Sequence, residues 1–253
     1  MGYTDLVFDL YGTLVDIHTE ETREVWEKTA LFLGFYGAKY TGKTLQAAFQ
    51  AALVEQQAQA GQSYECFPDI PMEGVFAGLL HSGGVTEDVA HLAKQACQLF
   101  RICSTEYIRL YTHVGQALAR LREKGFRLWL LSNAQAVFTR GELKALGLDG
   151  AFDGVYLSSD FQCRKPDSRF FRALLEGEGL QPRHCLMIGN DRQTDIAGAQ
   201  AAGMGTLYLH TNLTPEEQAP ADPARHPGCC RGPHWEYEGA DWLALPEILE
   251  GLC

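Results

Sequence analysis

The chain has 253 residues, of which 46% are hydrophobic and 21% charged, and its formal net charge is −11. This composition is ordinary for a globular protein built as one large domain, or as a core domain with an inserted module. The negative charge argues against nucleic acid or an anionic membrane as a partner, because both bind basic surfaces. No apolar run is long enough for a membrane span, and the first predicted strand begins close to Met1, so we expect no signal peptide and a cytoplasmic protein with reduced cysteines.

The first predicted element is a strand that begins at Leu6 and ends in a Gly12-Thr13 turn, with Asp9 at the junction. A short apolar run closed by a turn signal is typical of a buried strand in a parallel sheet. Ligands of such sheets bind beyond the carboxyl ends of the strands, so Asp9 lies where chemistry is expected. Taken alone, the position equally fits a carboxylate that only caps the turn.

The pattern after Asp16 is helical for about a hundred residues, to roughly Tyr111, and no strand-like alternation interrupts it. From Gly115 onward, helical segments alternate with short apolar runs. This alternation predicts βαβ units with right-handed connections. We therefore predict a doubly wound parallel α/β sheet formed by residues 1–15 and 113–253, with an all-helical domain of residues 16–112 inserted into it.

Polar residues follow three more of the predicted strands. They are Ser132-Asn133, Lys165, and the acidic pair Asp191 and Asp195. If the strands are parallel, these groups meet Asp9 at one edge of the sheet. Carboxylates, an ammonium group and hydroxyl or amide donors together suit Mg²⁺ and a phosphoryl group.

Four sequence motifs occur in order along the chain: Asp9-Leu10-Tyr11-Gly12-Thr13-Leu14, Leu131-Ser132-Asn133, Lys165-Pro166-Asp167, and Gly189-Asn190-Asp191 through Asp195. With them the chain resembles the haloacid dehalogenase (HAD) superfamily of aspartate-nucleophile hydrolases, from Leu6 to about Leu209. Any one motif is weak evidence, but the four in their structural context are specific. The helical insert matches the family's cap domain in the position called C1.

The resemblance implies a two-step hydrolysis of a small-molecule substrate. Asp9 would form a covalent ester that water then hydrolyses, and Lys165 would offset its charge. Thr13, Ser132 and Asn133, with Tyr11, would contact the substrate. In the phosphatase branch Mg²⁺ would be held by four groups, namely Asp9, the backbone carbonyl of Tyr11, Asp191 and Asp195.

Tyr11 departs from the phosphatase pattern, which has a second Asp at this position as the general acid and base. An alkoxide is a poor leaving group without a proton, and general acid catalysis is typically worth about 10²–10⁴-fold. Halide needs no proton, and the family's L-2-haloacid dehalogenases carry Tyr here, so Tyr11 favours dehalogenation. His18, just past the hinge, is a weak substitute for the missing acid, since a histidine there is usually a surface residue.

The fourth motif favours the phosphatase instead. The dehalogenases of this family use no Mg²⁺ and have a Ser- and Asn-containing loop, whereas Asp191 and Asp195 keep two carboxylates whose clustering is costly without a cation. Asn190 replaces the commonest acid next to Gly189, so the register of the ligands stays open between Asn190 and Asp191. We predict Asp191 as the direct ligand, with Asp195 a ligand through water or a support for Lys165.

The predicted function is therefore Mg²⁺-dependent hydrolysis of a small phosphorylated metabolite, slow on alkyl phosphates. One alternative is a metal-independent 2-haloacid dehalogenase, and another is a catalytically weak binding or regulatory protein with the same fold. The segment with His226, Cys229, Cys230 and His234 lacks the usual spacing of a zinc site, so we interpret its cysteines as loop thiols. The sequence indicates neither the oligomeric state nor the physiological substrate.

Overall fold

A computed structural model of the chain describes residues 2–59, 67–216 and 234–251. The strands, in chain order, are β1 Asp5–Phe8, β2 Val15–Thr19, β3 Thr105–Leu110, β4 Arg127–Ser132, β5 Gly154–Leu157, β6 Cys185–Gly189, β7 Gly205–His210 and β8 His234–Glu238. The helices are α1 Arg23–Phe35, α2 Gly42–Gln59, α3 Met72–Ser82, α4 Val89–Ser104, α5 Val114–Glu123, α6 Ala136–Ala145, α7 Ser158–Phe161, α8 Ser168–Gly177, α9 Ala197–Ala201 and α10 Leu245–Gly251. No helix in these ranges is long and apolar enough to cross a membrane.

Six of the eight described strands form a parallel sheet in the order β5-β4-β1-β6-β7-β8, so β1 lies in the interior. Phe8 is in register with Leu130 of β4 and Ile188 of β6. The chain therefore leaves all three strands at the same edge of the sheet. The predicted fold class, a doubly wound parallel sheet with a helical insertion, is confirmed.

Both faces of the sheet are buried, which explains why β1 is an uninterrupted apolar run rather than an alternating one. Leu6 and Phe8 pack into one apolar cluster, while Val7 packs into a second one with Trp129 and Phe171. Successive side chains of a strand point to opposite faces, so the two clusters lie on opposite sides of the sheet.

Helices α1 to α4 lie between β2 and β3 and share an apolar cluster of their own, with Trp26, Phe49, Phe76 and Phe100 in mutual ring contact. The prediction of helix from Asp16 to Tyr111 is wrong at both ends. There β2 and β3 pair antiparallel, with Ile17 opposite Ile108. The division into residues 1–15 and 113–253 against 16–112 stays a prediction.

Candidate active site

Asp9 follows β1 at the sheet edge, and its backbone N–H donates to the carbonyl of Ile188 at 3.0 Å. Its side chain is only 10% exposed. Oδ1 accepts hydrogen bonds from Lys165 Nζ at 2.7 Å and Ser132 Oγ at 3.2 Å, whereas the one contact of Oδ2 with a described residue is a long one of 3.4 Å with Thr13 Oγ1. Oδ1 is thus held by two hydrogen-bond donors, whereas the lone pairs of Oδ2 remain available.

Lys165 is 1% exposed and bridges two carboxylates, because its Nζ also lies 2.6 Å from Oδ1 of Asp195. Burial alone would lower the pKa of Lys165, but the charges of Asp195 and Asp9 outweigh it and raise that pKa. The side chain therefore stays an ammonium group. Burial, together with the charge of Asp9, raises the pKa of Asp195 to about 7 against the opposing effect of Lys165.

Asn133 fixes the backbone of Lys165 from both sides. Its Oδ1 accepts from the Lys165 N–H at 2.7 Å, and its Nδ2 donates to the Lys165 carbonyl at 3.1 Å. The amide predicted from the sequence to contact the substrate is thus engaged by the protein itself. The structure brings Asp9, Thr13, Ser132, Asn133 and Lys165 together, as the sequence pattern predicts.

Two glycines let the loops approach this closely. Gly12 has φ +82°, and a Cβ on it would lie 2.3 Å from Nδ2 of Asn190. A Cβ on Gly189 would lie 2.2 Å from Oδ2 of Asp195. Any side chain at either position would displace the polar groups that face Asp9.

The two acidic residues of the fourth motif have different surroundings. The carboxylate of Asp195 pairs with Lys165 and accepts from the Asp191 N–H at 3.0 Å. The side chain of Asp191 caps the following turn, with Oδ1 accepting from the N–H groups of Gln193 and Thr194. Asn190, by contrast, shares Thr13 with Asp9, since Thr13 Oγ1 lies 3.2 Å from Asn190 Oδ1. The assignment of Asp191 as a direct ligand stays a prediction, and the contacts of Thr13 favour Asn190.

The oxygens around Thr13 can be tested against the needs of a cation. In the described part of the chain no three His, Cys, Asp or Glu residues cluster as a metal site. Mg²⁺ does not need such a cluster, because it is usually held by one or two carboxylates together with substrate phosphate and water. Asp9 Oδ2 and Asn190 Oδ1 both lie within 3.4 Å of one hydroxyl, so this oxygen-only set suits Mg²⁺ and does not suit zinc.

The Tyr11 hydroxyl is engaged by α6. It donates to Oε2 of Glu142 and lies 2.9 Å from Oγ1 of Thr139. Glu142 in turn accepts from Nε of Arg101 at 2.6 Å, and the Arg101 guanidinium lies 5.5 Å from the centre of the Tyr11 ring. Burial raises the pKa of Tyr11 well above its ordinary value, and Glu142 adds to the shift. The phenol is therefore neutral and a poor proton donor.

Several residues near the site carried no sequence signal. Arg101 and Glu142 are 41 positions apart, and Asp69 and Arg164 line the same cavity as Tyr11 from separate segments. The position of Arg164 directly before the predicted site residue Lys165 was the one sequence feature that could have indicated it. His18 lies exposed on β2, 3.7 Å from Glu106, and has no described contact with Asp9.

The cysteine- and histidine-containing segment lies largely outside the described residues. His226, Cys229 and Cys230 fall in the gap from 217 to 233, and of His234 only the backbone, in β8, is described. Within the described ranges Cys97, Cys103 and Cys185 are free thiols.

Comparison with known proteins identifies the family. The model of haloacid dehalogenase-like hydrolases matches residues 6–203, which include all the strand-end residues described above. The chain belongs to the haloacid dehalogenase-like hydrolases. The resemblance inferred from the four motifs is thereby confirmed, and the protein is a HAD-like hydrolase.

Curated relatives are phosphatases at low to moderate identity. Glyceraldehyde 3-phosphate phosphatase of Methanothermobacter thermautotrophicus is 32% identical over 44% of this chain and 49% of that protein. Phosphoserine phosphatase of Thermus thermophilus is 33% identical over 57% of each. The chain thus spans about half the length of these two relatives. Human N-acylneuraminate-9-phosphatase is 26% identical over 97% of this chain and 93% of that protein.

Solved HAD structures share the fold from end to end. A 2-haloacid dehalogenase from Pseudomonas syringae superposes with a TM-score of 0.66 at 22% identity, covering 99% of this chain and 100% of that one. A HAD phosphatase from Thermococcus onnurineus superposes with a TM-score of 0.56 at 18% identity, covering 99% of both chains. At these identities the likeness establishes the fold and does not choose between the two reactions.

Proposed function

We propose that this HAD-like hydrolase is a Mg²⁺-dependent phosphatase that acts on a small phosphorylated metabolite, with Asp9 as the nucleophile. The observation that carries the proposal is the position of Asp9, buried at the end of β1 with Lys165 and Ser132 donating to Oδ1 while Oδ2 remains open. The curated relatives supply the phosphatase part of the proposal, because each one cited is a phosphatase.

In the first step an oxygen of Asp9 attacks phosphorus, and the bond from phosphorus to the leaving oxygen breaks. The phosphoryl group moves to Asp9, and the leaving oxygen departs as an anion that takes its proton from solvent. Water then attacks the acyl phosphate, releasing inorganic phosphate and restoring the carboxylate. Lys165 supplies a fixed positive charge beside Asp9 throughout, and Thr13 and Ser132 orient the transferring group.

Asp9, the backbone carbonyl of Tyr11 and the fourth-motif side chains Asn190 or Asp191 would hold Mg²⁺, with Asp195 supporting Lys165. The ion would offset the repulsion between the anionic nucleophile and the phosphate. Among the described residues the leaving oxygen has no dedicated proton donor, because the phenol of Tyr11 is hydrogen-bonded to Glu142. We therefore propose slow turnover of alkyl phosphates and faster turnover of aryl or acyl phosphates, whose leaving groups need no proton.

A metal-independent 2-haloacid dehalogenase is the second candidate. Two observations favour it: Tyr11 occupies the acid position, and the Lys165 ammonium pairs with both Asp9 and Asp195. The same Asp9 would displace halide from carbon in that reaction.

An assay with EDTA separates the candidates. The protein is incubated with p-nitrophenyl phosphate or 2-chloropropionate, each with Mg²⁺ or with EDTA, alongside the Asp9→Asn variant. We expect phosphate release that EDTA and Asp9→Asn both abolish. Halide release that persists in EDTA would select the dehalogenase. No turnover of either substrate, and no effect of Asp9→Asn, would select a binding protein.

A further inference from the structure

A cavity of about 330 Å³ lies next to the Asp9 cluster. Tyr11 and Asn133 form part of its wall; Tyr11 lies two positions after Asp9, and Asn133 directly follows Ser132. The cavity is therefore placed to receive the part of a substrate that leaves. Its size is at the lower end of ligand sites, about 300–1,000 Å³, which favours a leaving group of a few carbons.

The charged side chains around this cavity differ in how they are paired. Glu142 is held by Arg101, and Asp69 accepts from Ser158 Oγ at 2.5 Å and Gln135 Nε2 at 3.0 Å. Arg164 also lines the cavity, yet its guanidinium forms no hydrogen bond or ion pair within the described residues. The N–H donors of its guanidinium therefore remain available to a ligand in the cavity.

The backbone of Arg164 is fixed, although its side chain is free. Its N–H donates to the carbonyl of Phe67 at 2.9 Å, and its carbonyl accepts from the Asp167 N–H at 3.0 Å. The next residue is Lys165, whose Nζ is held by Asp9. The guanidinium therefore extends from a fixed backbone position next to Lys165, and it lines the cavity.

We infer that Arg164 binds a carboxylate on the leaving group, so that the substrate is a small phosphorylated acid. This inference rests on the proposed phosphatase function and adds the substrate class to it. The planar guanidinium matches a carboxylate through two parallel hydrogen bonds.

Asp69 is an acidic residue on the cavity wall, and its negative charge would repel a bound anion. Its oxygens are occupied by Ser158 and Gln135, and burial raises the pKa of Asp69 above its ordinary value. Both effects reduce the repulsion that a substrate carboxylate would meet. The charge of Arg164 acts on Asp69 in the opposite sense, which places the two groups within electrostatic reach.

Two substrates that differ only at the proposed contact test the inference. 3-Phosphoglycerate carries a carboxylate where glycerol 3-phosphate carries a hydroxymethyl group. We expect kcat/KM to be about 10- to 100-fold higher for 3-phosphoglycerate, as for a hydrogen bond between charged groups, and Arg164→Gln to remove most of this preference. Arg172→Gln, which removes the same charge from an exposed position on α8, is the matched control and should keep the preference.

The outcomes separate the two proposals. Hydrolysis of p-nitrophenyl phosphate with no preference for 3-phosphoglycerate, or a preference that Arg164→Gln leaves intact, overturns the role of Arg164 alone. Absence of any phosphatase activity overturns the proposed function. In that case binding affinities measured by calorimetry on Asp9→Asn still test the role of Arg164. The inference requires Asp9→Asn to bind 3-phosphoglycerate more tightly than glycerol 3-phosphate. It also requires the double variant Asp9→Asn/Arg164→Gln to lose this difference in affinity.

Discussion

The hydroxyl of Tyr11 donates a hydrogen bond to the carboxylate of Glu142, which joins the loop after β1 to helix α6. Arg101 of α4 completes the contact from the helical insert by pairing with the same carboxylate at 2.6 Å. The residue that replaces the usual acid is thus a structural link between three segments. This assigns Tyr11 a packing role that can be measured apart from catalysis.

Tyr11→Phe should lower the free energy of unfolding by about 1–3 kcal/mol, because a hydrogen bond to a charged, half-buried group is lost. Urea unfolding measures the change. Tyr156→Phe is the matched control, since the Tyr156 hydroxyl donates to Glu178 at 2.8 Å in an exposed pair. We expect the control to cost well under about 1 kcal/mol. Equal losses in the two variants would argue against a buried link at Tyr11.

Tyr11→Asp should raise kcat for alkyl phosphates by at least about 10-fold, since a general acid is worth about 10²–10⁴-fold where the leaving group needs a proton. The rate on p-nitrophenyl phosphate should change much less. Steady-state kinetics on glycerol 3-phosphate and the aryl ester make the comparison, with Tyr11→Asn as the control that has no acid. If Asp gives no gain over Asn, or if the wild type already hydrolyses both esters equally fast, the missing acid does not limit this enzyme.

Lys165→Met should destabilise the fold by about 3–5 kcal/mol, because it leaves the buried carboxylates of Asp9 and Asp195 without their shared cation. Adding Asp195→Asn should recover part of that loss without restoring activity. Arg140→Gln breaks an exposed ion pair with Asp160 and should cost less than about 1 kcal/mol. A Lys165→Met protein as stable as the wild type would mean that the pair does not hold the site together.

The stability of the fold should fall in acid through Asp16. Burial acts to raise its pKa, but hydrogen bonds from Asn212 and Arg109 outweigh burial and hold the pKa of Asp16 below its ordinary value. A lowered folded-state pKa means that the stabilisation is present above the unfolded value, about 3.9, and is lost as pH falls through the folded value.

Urea unfolding of wild type and Asp16→Asn from neutral pH to about pH 3 tests this. The wild type should be the more stable protein at neutral pH, and its advantage should shrink below about pH 4. An advantage of the same size at both ends of the range would show that ionisation of Asp16 contributes nothing.

The sequence predicted the parts of the fold that depend on local pattern. Each strand end carrying Asp9, Ser132 or Asp195 follows an apolar run, and a parallel sheet brings such ends to one edge whatever the details of packing. The sequence predicts helix where β3 lies, because residues 105–110 continue directly from α4 without a turn residue and their partner strand β2 is some 90 positions away. Pairing over that distance leaves no local mark.

The contacts of Tyr11 could not be predicted from the sequence for the same reason. Its partner Glu142 lies 131 positions away, and nothing in the local pattern around either residue indicates the contact. Asp191 and Asp195 look alike in sequence, but one caps a turn and the other pairs with Lys165. Which of the two carboxylates caps the turn and which pairs with Lys165 depends on the path of the loop, and spacing in the sequence does not determine that path.

The central claim is that Asp9 carries the phosphoryl group between the two steps. A rapid acid quench during turnover of p-nitrophenyl phosphate, followed by mass spectrometry of the peptide containing Asp9, tests it most directly. We predict one phosphoryl group on Asp9 in the wild type and none in Asp9→Asn, which should also be inactive. Sustained turnover by Asp9→Asn, or a phosphoryl group found only on another residue, would contradict the account.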